Sequence, residues 1–313
     1  MNVKIKSSLC ILLCFIFFNS CSSSKVNNSS GSVVDVVDSP AADIQNKPVI
    51  ETNTESTVEK EVTDNVYKKK IKTSQINLHL GPGLYNTFSY VGFLKGLEKN
   101  RIKVTSISGM EMGALMAALY AKHKKSSLVE WELFKLLQGM GAETKVYSEK
   151  WRNSLKNLIQ SNFARIDFNQ LDIELKIPVW EKNHFVWVEE GSVEAALIQS
   201  LHLNQAEMPS EVNYSSLNFQ DLKNDEEVLV VVDVLTQNQM SLNQEESFKN
   251  IIKGLTRINS VSKKAADIYF SLKFNATELD NGNSWQKNNP IANTSGSSVA
   301  RKLNQLDQTK SHP

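Results

Sequence analysis

An α/β fold with a mostly parallel central sheet and helices on both faces follows from three features of the chain. Between about Ser74 and Asn275, short strand-like runs alternate with helical ones, the pattern of a parallel sheet crossed over by helices. Val228 to Leu235 reads VLVVVDVL, a nearly continuous apolar run rich in valine, as expected of a strand covered on both faces. Two of the predicted strands end in glycine-rich turns, Gly81-Pro82-Gly83 and Gly109 to Gly113, each followed by a helix.

The elements follow in order. Gln75 to Leu80 is the first strand, and Phe88 to Lys99 an amphipathic helix with Val91, Leu94 and Leu97 on one side. Val104 to Ser108 is the second strand, and Ala114 to Lys122 the helix after its turn. Helices are also expected over Ser127 to Leu137, Trp151 to Gln160, Val193 to Leu203 and near Glu246 to Ile258. Lys176 to Glu181 and Phe185 to Glu189 read as strands about an Asn183-His184 turn, and a last strand falls near Ala266 to Leu272.

The ends read differently. Lys4 and Lys6 precede an apolar run, Leu9 to Phe18, which is shorter than the roughly 20 residues a membrane-spanning helix needs, so residues 1–20 read as a signal peptide. Cys21 follows Ser20 and precedes three serines, which resembles the bacterial lipobox, although Phe18 and Asn19 are unusual there. That resemblance implies a diacylglycerol on Cys21, whose acyl chains, at about 0.8 kcal/mol per buried CH₂, hold a protein at a membrane. A plain secretory cleavage is the alternative. Residues 21–72 are polar and aperiodic and read as a disordered tether of roughly 50 residues, with a coil span on the order of 40 Å. Residues 73–278 are the folded domain. Residues 279–313, rich in Asn, Ser, Gln and Lys, read as a loose tail. The expected location is the bacterial envelope, lipid-anchored, with Ser22 favouring the outer membrane on its periplasmic side.

Composition narrows the chemistry. A formal net charge of +1 without a basic stripe argues against nucleic acid as a partner. Cys10 and Cys14 lie in the signal, leaving the mature chain no disulfide and no cysteine cluster. His79, His123, His184 and His202 lack metal-ligand spacing, so no metal or cofactor is expected.

In the order Gly81-Pro82-Gly83-Leu84-Tyr85-Asn86, then VGFLKGLEKNRI, then Gly109-Met110-Glu111-Met112-Gly113 and ALMAALYA, the segment Leu78 to Ala121 resembles the opening of the patatin-like phospholipase family. Weaker similarity continues through IPVWE, EEGSVEAALIQSLHL, VLVVVDVL and KKAADIYF. The resemblance implies a patatin-like three-layer sandwich, with a glycine-rich oxyanion loop at Gly81 and Gly83 and a nucleophile elbow framed by Gly109 and Gly113. It also exposes departures. Glu111 stands where the family's serine attacks a carbonyl, and a carboxylate is a weaker nucleophile. Pro82 removes one backbone N–H from the loop. Tyr85 and Asn86 replace the family's basic residue and last glycine. The family's D-G-[GA] aspartate, expected between Met208 and Val228, has no counterpart: Asp221 and Asp225 sit in a polar NFQDLKNDEE stretch, and Asp233 reads as a strand-end residue. Ser106 and Ser108 lie near the elbow but not at its apex.

Each surviving residue has a structural reading beside the chemical one. Gly81 and Gly83 make a tight turn or retain anion binding at a helix N-terminus. Gly109 and Gly113 meet the backbone demand of the elbow. Glu111 is an acid favoured by the positive end of its helix, or its carboxylate fills the former oxyanion site. Trp180 and Trp187 read as half-buried strand residues. The expected function is a membrane-anchored, catalytically inactive pseudo-hydrolase that binds lipid or an envelope protein. The alternatives are an acyl hydrolase working through Glu111, and a nucleotide-binding α/β domain; the latter lacks both a third loop glycine and a Walker lysine.

Overall fold

The computed structural model describes residues 74–141, 144–181, 184–204, 216–223, 227–234, 261–272 and 285–311. The signal peptide, Cys21, the tether, Asp225 and the helix expected near Glu246 to Ile258 lie outside the described residues.

Six strands form one sheet in the order β4-β3-β2-β1-β5-β6: β1 Gln75–Leu80, β2 Lys103–Gly109, β3 Glu174–Glu181, β4 His184–Val188, β5 Val228–Asp233 and β6 Ile268–Ser271. Every pairing is parallel except β3 with β4, a hairpin that turns the edge strand back. The two central strands, β1 and β2, are the ones that end in the glycine turns. At the carboxyl edge of such a sheet, the turns that follow adjacent strands face the same crevice.

A short 3₁₀ turn, Leu84–Ser89, leads into α1, Tyr90–Lys99. The remaining helices are α2 Met112–His123, α3 Ser126–Met140, α4 Glu149–Phe163, α5 Val193–Ser200 and α6 Trp285–Ser311. Local chemistry sets their starts. Ser148 accepts the Trp151 amide and Ser192 the Ala195 amide, each satisfying a donor that the first turn leaves open. Helix α2 is buried on every side from Met112 to Ala121, which is why its sequence is apolar throughout rather than amphipathic. On one sheet face Ile76, Leu78, Leu80, Ile107, Val230 and Val232 join the main core with α1, α2 and α6. On the other, Leu229 and Val231 pack with Phe219, Leu222, Ala265 and Ala266, from a 3₁₀ turn Phe219–Leu222 and from the end of, and the residue after, the helical residues 261–265.

Residues 285–311 correct the loose tail expected of 279–313. They form a single helix whose Trp285, Ala292, Val299 and Leu303 are buried against α1. The contact is made through small residues. A side chain at Gly92 or Gly96 would overlap the α6 backbone at Asn289, Asn293 or Ser297, and one at Gly296 would overlap the Phe93 backbone. Glycine admits this close approach at about 1 kcal/mol of helix propensity per position. Sparse buried residues seven and four positions apart among many polar ones hide such a helix from a reading by composition.

Candidate functional site

The two glycine turns meet at the carboxyl edge. Gly113 packs so closely on the Leu80 and Gly81 carbonyls that a Cβ there would overlap them, and the same holds for Gly81 against Asp233. The chain then passes from β2 to α2 through Glu111, whose φ of 54° and ψ of −126° place a non-glycine residue in a sparsely populated region. Such a conformation costs on the order of 1–3 kcal/mol and persists only where its surroundings impose it. Leu84, in the facing loop, also has a positive φ, 50°. Both sides of the crevice are therefore strained.

Glu111 is only 4% exposed. Its Oε2 accepts the amide of Met112 at 3.1 Å, and its Oε1 accepts the phenol of Tyr147 at 2.9 Å. The backbone amides of Leu84 and Gly83 also favour its charged form. Burial raises the carboxyl above its usual pKa, and those four donors oppose the rise. One amide from the residue after the apex and others from the loop after the first strand are the donor set that a strand–turn–helix elbow offers an oxyanion. Here the chain's own carboxylate takes them. Pro82 lacks an N–H, but the amides of the two residues after it favour the charge on Glu111.

Tyr147 was not singled out from the sequence, because it belongs to the connection between α3 and α4. Tyr85 places it: its hydroxyl donates to the Thr144 carbonyl at 3.0 Å, tying that connection to the glycine loop. The Tyr147 ring lies 5.2 Å from that of Trp151, and Arg152 donates to the Tyr147 carbonyl. No local signal in the sequence marks this pairing.

The other sequence candidates fall elsewhere. Asp233 ends β5 at 0% exposure, with the Ser262 hydroxyl 3.4 Å from one carboxylate oxygen and Tyr269 also favouring its charged form. Burial pushes its carboxyl up to about 7, against the pull of those two hydroxyls. The Tyr90 hydroxyl, 2.9 Å from both the Gly81 and Val232 carbonyls, sits between the β1 and β5 ends. Asp221 is exposed and accepts the Asn218 amide at 2.7 Å. It lines a cleft with Asn77, Ser106, Glu174 and Lys176.

Ser108 and His79 are register partners on β2 and β1, with Oγ 2.9 Å from Nδ1. A serine beside an imidazole invites a nucleophilic reading. The pair is instead enclosed on the sheet face, with Trp187 and Phe219 edge-on to the imidazole at 6.1 and 5.0 Å. Burial lowers His79 to about 3, which keeps it neutral. His123 contacts Asn162, His184 begins β4, and His202 follows α5. Among the described residues no group of three or more His, Cys, Asp or Glu can hold a metal. Also among them, no imidazole or amine is hydrogen-bonded or ion-paired to Glu111.

No protein-family model matches the chain, and no curated protein matches it. Among solved structures, the chain is similar to full-length ExoU, in complex with SpcU, from the type III secretion system of Pseudomonas aeruginosa. The identity is 12% and the TM-score 0.37, over 74% of this chain and 53% of that one. A second structure, of the type III effector protein ExoU, gives 13% identity and a TM-score of 0.39 over the same shares. VipD from Legionella pneumophila gives 12% and 0.39, over 74% of this chain and 66% of that one. The match thus spans about half the length of ExoU and just under two thirds of VipD.

Proposed function

We propose that the chain is a membrane-anchored, patatin-like domain that has lost hydrolysis and serves to bind lipid or an envelope protein. One observation carries the loss: Glu111, at the apex of the elbow, accepts the Met112 amide with its own carboxylate, whose charge the Leu84 and Gly83 amides also favour. Those amides would otherwise receive the oxyanion of a tetrahedral intermediate. A substrate carbonyl entering there would have to displace a carboxyl group bonded on both oxygens. Glu111 is also a poor nucleophile in this setting. Its lone pairs are engaged, it is nearly inaccessible, and burial favours its protonated form. The patatin-like part of the reading is supported by the order and spacing of the two turn motifs, and by the elbow geometry at Glu111. The anchor is supported by the lipobox-like sequence at Cys21.

The test is turnover of a short-chain p-nitrophenyl ester and of a phospholipid by the whole chain, together with fluorophosphonate labelling. Neither substrate should turn over in the wild type or in Glu111→Ser, and no serine should be labelled. Turnover that vanishes in Glu111→Gln would replace this reading with carboxylate chemistry. A labelled cleft serine would end it outright.

A further inference from the structure

Helix α3 departs from the burial pattern of its neighbours. Its core side carries Val129, Leu133, Leu136 and Met140, so it already has the one apolar face a surface helix needs. A second apolar strip stands outward: Leu128, Trp131 and Phe134 are 43%, 55% and 39% exposed. Spaced three apart, they share one side of the helix. The Trp131 and Phe134 rings stack, with centroids 5.6 Å apart and planes inclined at 22°.

The margin of this strip is cationic. Lys122-His123-Lys124-Lys125 leads into the helix. Glu98, at the end of α1, accepts both the amide and the hydroxyl of Ser126 at 2.6 Å, which ties Lys99 and Arg101 to the same end of α3. Lys99, Arg101 and Lys125 are exposed and make no ion pair among the described residues, while the half-exposed Lys124 pairs with Asp172. The acids beside the strip are already compensated. Glu130 pairs with Lys95 at 2.7 Å, and Glu132 turns inward to Lys135 and the Asn162 amide.

We infer that the outer strip of α3 is a seat for an anionic lipid surface. Tryptophan, phenylalanine and leucine edged by lysines suit the boundary between headgroups and acyl chains, where apolar side chains sink and long cationic ones reach outward. The lysines also separate this occupant from others. Protein–protein interfaces are depleted in lysine, and a second copy laid on the same strip would bring like charges together. Three apolar side chains and a few cations give a weak, reversible contact rather than an anchor. The inference rests on α3 and its cationic margin and depends on neither Cys21 nor Glu111.

The decisive experiment uses the whole chain bearing Cys21→Ser, with phosphatidylcholine vesicles containing brominated acyl chains, with and without phosphatidylglycerol. Tryptophan fluorescence should be quenched on the anionic vesicles, and Trp131→Phe should remove most of that quenching, since Trp151 and Trp285 are buried and Trp180 and Trp187 are half-buried on β3 and β4, not on the strip. Leu128→Glu with Phe134→Glu should weaken partitioning about tenfold or more, and Lys124→Glu with Lys125→Glu should erase the preference for phosphatidylglycerol. Quenching that persists in Trp131→Phe overturns the inference, and so does undiminished binding by the Leu128/Phe134 variant. A concentration-dependent dimer broken by Trp131→Glu, without vesicle binding, would assign the strip to a second copy instead. Because Trp131→Phe is conservative and exposed, its outcome stands even if the charge-introducing variants fold poorly.

Discussion

Two carboxyl groups lie buried at the carboxyl edge of the sheet, and both hold their protons more tightly than they do in water. Asp233 rises from 3.8 to about 7 and Glu111 rises as well, burial being the largest cause for each. Between the unfolded and folded values the native state therefore binds more protons than the unfolded one, so stability falls as pH rises through that window. For Asp233 the loss is fully developed above pH 7 and absent below about 4. At 1.36 kcal/mol for each tenfold change in proton affinity, its ceiling is roughly 4 kcal/mol. Urea unfolding of the whole chain between pH 4 and pH 8 should show the midpoint dropping across this range, and Asp233→Asn should flatten most of the slope. A midpoint that climbs with pH, or a slope unchanged in Asp233→Asn, would mean that the carboxyl is ionised and paired in the folded protein. The strand-end position of Asp233 was readable from VLVVVDVL. Its burial beneath Gly81 was not, because the contact joins β5 to the loop after β1.

At the scale of elements, the α1–α6 pair separates what composition reveals from what packing decides. Helix α1 is legible because Val91, Leu94 and Leu97 repeat at helical spacing, whereas α6 scatters Trp285, Ala292, Val299 and Leu303, with the half-buried Ile291, Ala300 and Leu306, among a majority of polar residues. What holds α6 in place is backbone proximity at Gly92, Gly96 and Gly296, a property without a hydrophobic signature. Glycine at these positions is consequently intolerant. Gly296→Val pushes a branched side chain into the Phe93 backbone, which cannot yield as a side-chain tip would. It should cost about 1–3 kcal/mol or more, as overpacking does. Gly139 provides the opposite case in α3, where a Cβ would meet nothing within 4 Å. Gly139→Ala should stabilise by roughly 0.4–1 kcal/mol through the unfolded chain. Equal effects of the two substitutions in thermal or urea unfolding would remove the close-packed account of α6. The elbow falls between these extremes. Gly109 and Gly113 announce the turn, but the Tyr147 hydroxyl that holds Glu111 arrives from a connection thirty-six positions later in the chain.

Across the whole molecule, the alternation of strands and helices was legible because a parallel sheet covered on both faces imposes it on the sequence, and β5 is the clearest instance. The proposed attachment at Cys21 governs how the α3 strip would be used. If residues 21–72 form the tether proposed from the sequence, its coil span on the order of 40 Å would keep the domain within reach of the surface that holds its end. A contact too weak to bind from solution then becomes effectively intramolecular, and its occupancy is set by local rather than bulk concentration. The two attachments should separate cleanly under substitution. In cells fed an alkynyl palmitate, the wild type should incorporate label and enter the detergent phase of Triton X-114, while Cys21→Ser should do neither. The Leu128→Glu and Phe134→Glu variant should retain the label and the detergent partitioning, because its acyl chains are untouched. A Cys21→Ser protein that still takes up palmitate would place the modification elsewhere. One that stays in the detergent phase unlabelled would mean that apolar protein surface, rather than a lipid, holds the molecule at its membrane.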